Sequence, residues 1–419
     1  MENVSISCDS HGIITDVSPQ AEQGGASILR GLVLPGFANT HSHAFHRALR
    51  GRGQQEGSFW QWREQMYRLA NRLDPDSYLS LATAVYSEMV LAGFTVVGEF
   101  HYLHHRPDGR LYEDANEMGE VLMEAAKLAG IRLTLLDTCF LAGGIGEPIQ
   151  PQQARFSDGD VARWAARSAG LEGDSNTRIG AAIHSVRSVP AEQISSVVEA
   201  AKGKPLHVHL SEQPAENDQC YAAYGVTPTG LLAERGALGP STTAIHATHL
   251  TSGDIGLLSS SKCAVCMCPT TERDLGDGIG PALALARGGC RIALGTDQHA
   301  VVDPFEEIRG LETHQRLASL RRGLFGPNVL IEHATANGHR ALGWPDNGQI
   351  RVGSSCDLVA IDLKSVRTAG ADPSQAVMAA TAADVRTVIA GGRVIVSEGH
   401  HQIGNVAGLL DQAVNSLWD

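Results

Sequence analysis

The stretch Leu34-Pro-Gly-Phe-Ala-Asn-Thr-His41-Ser-His43-Ala-Phe-His46 decides the fold. A short apolar approach there delivers two imidazoles two residues apart. In extended backbone, side chains at i and i+2 leave the same face, so His41 and His43 can grip one ion from a single direction. A lone His-x-His pair is as easily two solvated side chains, so the meaning of this one depends on what lies downstream.

Downstream, apolar strand-like runs alternate with helical patterns, the signature of βα units around a parallel sheet. Strands are expected at 33–39, 95–100, 132–137, 179–184, 205–209, 243–247, 263–267 and 291–295, with helices such as 76–91, 116–129 and 191–201 between them. Eight such units within 34–344 point to an α/β fold, a (β/α)8 TIM barrel with its active site at the C-terminal ends of the strands. Upstream, Val4-Ser-Ile-Ser-Cys and Gly12-Ile-Ile-Thr-Asp-Val read as two arms of a hairpin too small to stand alone. Asp357-Leu-Val-Ala-Ile-Asp and Thr387-Val-Ile-Ala-Gly-Gly-Arg-Val-Ile-Val, the latter folded at Gly391-Gly392, supply partners. Residues 1–33 and 345–419 are therefore expected to meet in one small β-sandwich.

The 419 residues carry a formal net charge of -13, and no long run of Lys or Arg relieves it. Phosphate backbones and anionic membranes need a basic surface, so neither nucleic acid nor a membrane is an expected partner. No uninterrupted apolar stretch is long enough to span a bilayer, and Met-Glu-Asn-Val-Ser-Ile lacks a basic region leading an apolar one, so a cytoplasmic location is expected. Eight scattered cysteines do not make a disulfide framework in a chain of this length. Cys263, Cys266 and Cys268 lack a second ligand pair at finger spacing and read as buried thiols.

With a barrel as the frame, polar residues at strand ends gain meaning. The first strand ends at His41 and His43, the fifth at Leu206-His-Val-His209-Leu-Ser-Glu212, the sixth at Ile245-His246-Ala-Thr-His249 and the eighth at Leu294-Gly-Thr-Asp297-Gln-His299. A catalytic zinc takes about three protein ligands and keeps a place for water, whose pKa falls towards about 7. His41, His43, His209 and Asp297 can form such a shell. Glu212 follows a ligand by three residues, near enough to face that water without being a ligand, and Asp297 can coordinate and also accept a proton. His207 shares a face with His209 but reads, like His249, as a core or supporting histidine.

These residues resemble the amidohydrolase superfamily, in its metal-dependent aminohydrolase branch, over essentially the whole chain. The resemblance implies one zinc per subunit, with Fe2+ or another divalent metal as alternatives, held by His41, His43, His209 and Asp297. It further implies Glu212 as proton shuttle and His246 as the residue that orients water and substrate. More narrowly, Ser58-Phe-Trp-Gln-Trp-Arg63-Glu-Gln-Met-Tyr-Arg68, Glu99-Phe-His-Tyr102-Leu-His-His105, His184-Ser-Val-Arg187 and Leu275-Gly-Asp-Gly278 resemble the formimidoylglutamate deiminases of histidine degradation. That likeness implies N-formimidoyl-L-glutamate as substrate, bound by Arg63, Tyr102, His184 and Arg187, and a homodimer. Charge agrees: an acidic protein must neutralise a dicarboxylate locally, and the guanidinium fork suits the task. At the third residue after the second ligand histidine those enzymes carry glutamine, whereas this chain has His46, also expected to bind substrate but with one donor when neutral. Two other readings stand beside this one: an aminohydrolase of guanine or another cyclic amidine, and a catalytically silent barrel. The second would be expected to have lost metal ligands.

Overall fold

Eight parallel strands form and lie side by side in chain order: Phe37–Ser42, Phe94–His101, Arg132–Cys139, Thr177–Ile183, Leu206–Leu210, Thr242–His246, Ala264–Met267 and Arg291–Leu294. The computed structural model describes residues 3–19, 24–52 and 59–418, with the side chains of residues 59 and 60 left aside. Ser58 of the segment quoted above, and positions 1, 2 and 20–23 of the N-terminal segment, lie outside the described residues. Nearly every barrel-strand residue is buried, because side chains fill the interior on one face and helices cover the other. The longest of those helices, Pro75–Leu91, starts where Asp74 accepts the Ser77 amide at 2.9 Å and Pro75 takes the first helical position.

The ring closes where the eighth strand meets the first. The Thr296 and Asp297 amides donate to the His41 carbonyl at 3.2 and 3.0 Å, and the His43 amide donates to the Asp297 carbonyl at 3.0 Å. A Cβ at Gly295 would stand 2.9 Å from the nitrogen, the oxygen and the Cβ of His41, so only glycine lets the two strands approach this closely.

One expected strand divides in two. Leu32–Pro35 pairs antiparallel with Leu358–Ile361, and only after Gly36 does Phe37–Ser42 enter the barrel. Apolar residues flank the crossing on both sides, and its mark in the sequence is the Pro35-Gly36 dipeptide, a common turn signal. Leu32–Pro35, Leu358–Ile361, Val385–Ala390, Arg393–Ser397 and His400–His401 make a five-stranded antiparallel sheet from the two ends of the chain. Gly391 and Gly392, at φ 58° and 74°, make the tight turn between two of these strands. The hairpin of Ser5–Cys8 and Ile14–Ser18 covers one face of the sheet, with Ile14 packed among Cys356, Leu358 and Val33.

The chain ends in a helix, Val406–Trp418, that the β-rich reading of 345–419 did not anticipate. Val406, Ala413 and Leu417 form its buried stripe, the helix lies against Pro75–Leu91, and the Trp418 indole donates to the Ala48 carbonyl at 3.0 Å. No described helix is long and apolar enough to cross a membrane.

Replacing Gly295 by Ala forces a methyl group into the barrel seam. The expected loss is about 1–3 kcal/mol of unfolding free energy, the usual cost of overpacking. Chemical denaturation measures it, and a wild-type midpoint would contradict the account of the seam.

Candidate metal centre

His41 and His43 leave the first strand and its immediate extension on one face, as the period of two demands. The His41 Nε2 lies 3.1 Å from the His209 Nε2 and 3.1 Å from the Asp297 Oδ1. The His43 Nε2 lies 3.4 Å from each of the same two atoms. The His43 Nδ1 faces the Phe100 carbonyl at 3.0 Å and the His209 Nδ1 faces the His184 carbonyl at 2.9 Å. A carbonyl only accepts, so these Nδ1 atoms carry the protons and both Nε2 atoms present lone pairs. Burial keeps the imidazoles uncharged: it pushes His43 down to about 3, and His41 and His209 also lie below the ordinary imidazole range.

Lone pairs crowded in this way repel one another unless a cation lies between them. Tetrahedral ligation at about 2.0–2.2 Å sets donor atoms about 3.3–3.6 Å apart, close to the spacing found. Burial works to raise the Asp297 carboxyl, but His41, His246 and His43 together hold it below the usual carboxylate range, so its oxygen is a charged donor. The donor set therefore fits a divalent ion with nitrogen and oxygen ligands.

His246 also brings a ring nitrogen close to His41, His209 and Asp297. It differs from His43 in charge. Burial opposes protonation, yet the carboxylates of Glu212, Glu272 and Asp297 raise it well above the usual imidazole value. Its Nε2 is 3.8 Å from the Glu212 Oε1 and 3.7 Å from the Asp297 Oδ2, and its Nδ1 is 3.5 Å from the Glu272 Oε1. The His43 Nε2 meets both the His209 Nε2 and the Asp297 Oδ1 at 3.4 Å, whereas the His246 Nε2 meets the other Asp297 oxygen at 3.7 Å, so His43 suits the fourth place and His246 suits work on polar substrate atoms. Both His246 (φ 65°) and Asp297 (φ 43°) hold left-handed backbone where their strands turn into loops, strain of the kind that collects at functional sites.

Above this cluster opens a cavity of about 450 Å³. His46, Arg63, Tyr102, His184 and Arg187 all line it, together with His43, His209, Glu212, His246 and Asp297. The Tyr102 hydroxyl and the His46 Nε2 are 3.1 Å apart. Burial lowers His46 and His184 well below the ordinary imidazole value, so both rings are neutral. Burial raises the Glu212 carboxyl, while His246 and Arg187 draw it back. Arg63 projects from the helix Phe59–Ala70 and lies over the Tyr67 ring, its Cζ 5.6 Å from the ring centre, whereas Arg68 of the same helix is exposed. His207 stays out of the cavity lining: its Nε2 is 3.2 Å from the Ala341 carbonyl and burial lowers it to about 3. All eight cysteines are free thiols, and Cys263, Cys266 and Cys268 are buried.

Two carboxylates escaped the sequence reading. Glu272, on the short helix Pro269–Asp274, accepts the Cys268 amide at 2.8 Å and faces His246. Glu216 is fully buried, accepts the Ser211 amide at 3.1 Å and meets the Arg187 Nε at 3.1 Å. Glu216 lies in the first turn of the helix Pro214–Tyr224, four residues after Glu212 in the preceding loop, and that spacing alone does not say which arginine a carboxylate will find. The Arg187 Nη2 lies 3.7 Å from the Glu212 Oε2, so one guanidinium spans two carboxylates.

The amidohydrolase family pattern matches residues 32–395, and the chain belongs to that family. A formimidoylglutamate deiminase of Pseudomonas aeruginosa is 36% identical to it, across 95% of this chain and 92% of that protein. An 8-oxoguanine deaminase of the same species is 30% identical, across 91% and 85%. The crystal structure of an amidohydrolase from Brucella melitensis superposes with a TM-score of 0.93 at 30% identity, covering 100% of this chain and 96% of that one.

Arg187→Ala strands the buried Glu216 carboxylate, and breaking a buried pair by removing one partner costs about 3–5 kcal/mol. Denaturant melts should show that loss, and Arg187→Ala/Glu216→Gln should recover most of it. An equal loss in both variants would contradict the pairing.

Proposed function

We propose that this protein hydrolyses N-formimidoyl-L-glutamate to N-formyl-L-glutamate and ammonia, using a divalent metal, zinc by the chemistry of its donors. The observation that carries this reading is the presence of two arginines, Arg63 and Arg187, in one cavity with the four-donor cluster, inside a protein of net charge -13. A substrate with two carboxylates needs such groups; a neutral purine ring does not. The 36% identity to a formimidoylglutamate deiminase supports the same choice.

His41, His43, His209 and Asp297 would hold the metal, which supplies Lewis acidity and a water of lowered pKa. Glu212, its carboxyl raised by burial, is suited to take a proton and pass it to the departing nitrogen. The charged His246 sets a donor beside the place where negative charge grows on the substrate. Glu272 holds the far side of that ring and keeps it protonated. Asp297, through the oxygen 3.7 Å from His246, is placed to receive the proton of the attacking water. Arg63 and Arg187 take the carboxylates, and Tyr102, His184 and His46 fill the space between them, so this group contributes orientation rather than bond-breaking. With its Nε2 beside the Tyr102 hydroxyl, His46 keeps Nδ1 as its uncommitted nitrogen, one polar atom where a glutamine amide would offer two.

Ammonia release from N-formimidoyl-L-glutamate, guanine and 8-oxoguanine tests the reading on the metal-loaded enzyme. Turnover of the linear amidine alone is expected, and turnover of a purine alone would overturn it. Glu212→Gln should keep one metal per chain by elemental analysis and lose about 10²–10⁴-fold in kcat. His209→Ala should lose the metal itself. A Glu212→Gln enzyme of wild-type kcat would remove that residue from the proton path.

A further inference from the structure

Tyr67 is 5% exposed, lines the cavity beside Arg63 and has no part in the chemistry above. Its ring lies beneath the Arg63 guanidinium, which stands four residues earlier on the same helical face. Its hydroxyl accepts a hydrogen bond of 2.9 Å from the Gln153 Nε2. The orientation of that amide is fixed, because the Gln153 Oε1 accepts the Gln150 amide at 2.9 Å and only nitrogen is left to face the tyrosine. Gln153 is itself 2% exposed, so the arrangement is built into the wall. A tyrosine that accepts from an amide must send its own proton elsewhere, and among the described residues the Tyr67 hydroxyl has no acceptor. In the cavity that Tyr67 lines, a charged acceptor makes a stronger hydrogen bond with that proton than water does.

We infer that Tyr67 is a further substrate-binding residue, whose hydroxyl donates to the same substrate carboxylate that Arg63 receives. The inference rests on the dicarboxylate reading of the cavity. Guanidinium and hydroxyl border one stretch of wall, and an anion seated there meets a charge and a directed O–H together. Gln153 acts as a positioning residue: it occupies the hydroxyl's lone pair and so aims its proton.

Tyr67→Phe is the test, since phenylalanine keeps the ring beneath Arg63 and removes only the O–H. On the metal-loaded enzyme, KM for N-formimidoyl-L-glutamate is expected to rise about tenfold or more, as for a lost hydrogen bond to a charged group. The value of kcat should stay within about twofold with metal content unchanged, while the lost hydrogen bond from Gln153 lowers the melting temperature modestly. Calorimetric binding of glutarate, which has both carboxylates and no reactive carbon, should weaken by a similar factor. Unchanged KM and unchanged glutarate affinity would overturn the inference while leaving the proposed reaction standing, as would a fall in kcat alone. Failure of the wild-type enzyme to turn over N-formimidoyl-L-glutamate, with glutarate still bound more weakly by Tyr67→Phe, would overturn the reaction and keep Tyr67. If wild type neither turns over that substrate nor binds glutarate, both fall. If glutarate alone fails to bind, the KM comparison decides.

Discussion

Three neutral imidazoles and one charged carboxylate, crowded to 3.1–3.4 Å at the barrel seam, form the constraint on which the molecule depends. Three of these residues, His41, His43 and Asp297, also close the ring. The His41 carbonyl receives the amides of the eighth-strand extension, and the Asp297 carbonyl receives the His43 amide. Their side chains therefore cannot drift apart without opening the sheet, and Gly295 lets the two backbones draw together by having no Cβ to push them apart. Barrel closure and a metal site would thus share His41, His43 and Asp297, with His209 joining them from the fifth strand, so fold stability and site geometry are coupled.

Around that cluster the protein sorts its histidines by charge. His43 and His209 each turn one nitrogen to a backbone carbonyl and stay neutral, the form that could serve a metal. His246 sits among the carboxylates of Glu212, Glu272 and Asp297, which raise it above the usual imidazole value although it is just as buried. The difference lies in the neighbours supplied by three other strand ends, not in the residue type. The arginines follow the same logic, since Glu216 anchors Arg187 and the Tyr67 ring carries Arg63. Each guanidinium is fixed by a different device, which orders it before a ligand arrives and lowers the entropy lost on binding.

Strand ends were the legible part of the sequence. A period of two places His41 with His43, and the barrel rule puts His209, His246 and Asp297 at the same rim, so the convergence of these side chains was legible in the pattern. What could not be read was the path of the loops. Glu216 and Glu272 look like ordinary helix-surface carboxylates, and only the turn after each strand brings them against Arg187 and His246. The crossing at Gly36 does not show in apolar periodicity, which continues on both sides, but it is marked by the Pro35-Gly36 dipeptide. The terminal helix was overlooked although Val406, Ala413 and Leu417 carry a helical spacing, since the β-rich runs before it drew the whole segment into one class. For Tyr67, position on a helix face was readable, but whether that face looks into a cavity or into solvent depends on how the first long loop folds over the barrel.

A second buried cluster shows why donor proximity alone does not define a metal site. His101, His104 and Asp137 also bring donor atoms close together, deep in the protein. There, however, a cation is already present. The Arg167 guanidinium meets both Asp137 oxygens at 3.0 and 3.1 Å and both Asp158 oxygens at 2.9 and 3.0 Å. The His104 Nε2 is committed to the Thr138 carbonyl at 2.8 Å, and His105 meets Asp158 at 3.1 Å. A divalent ion beside Asp137 would stand next to a fixed guanidinium and compete with it for the same oxygens, so attraction to the carboxylate is already satisfied. At the rim cluster no arginine among the described residues forms an ion pair with Asp297; its near neighbours are imidazoles. The chain thus uses one set of residue types in two ways, and the placement of a single arginine separates a charge lock from a site open to a metal.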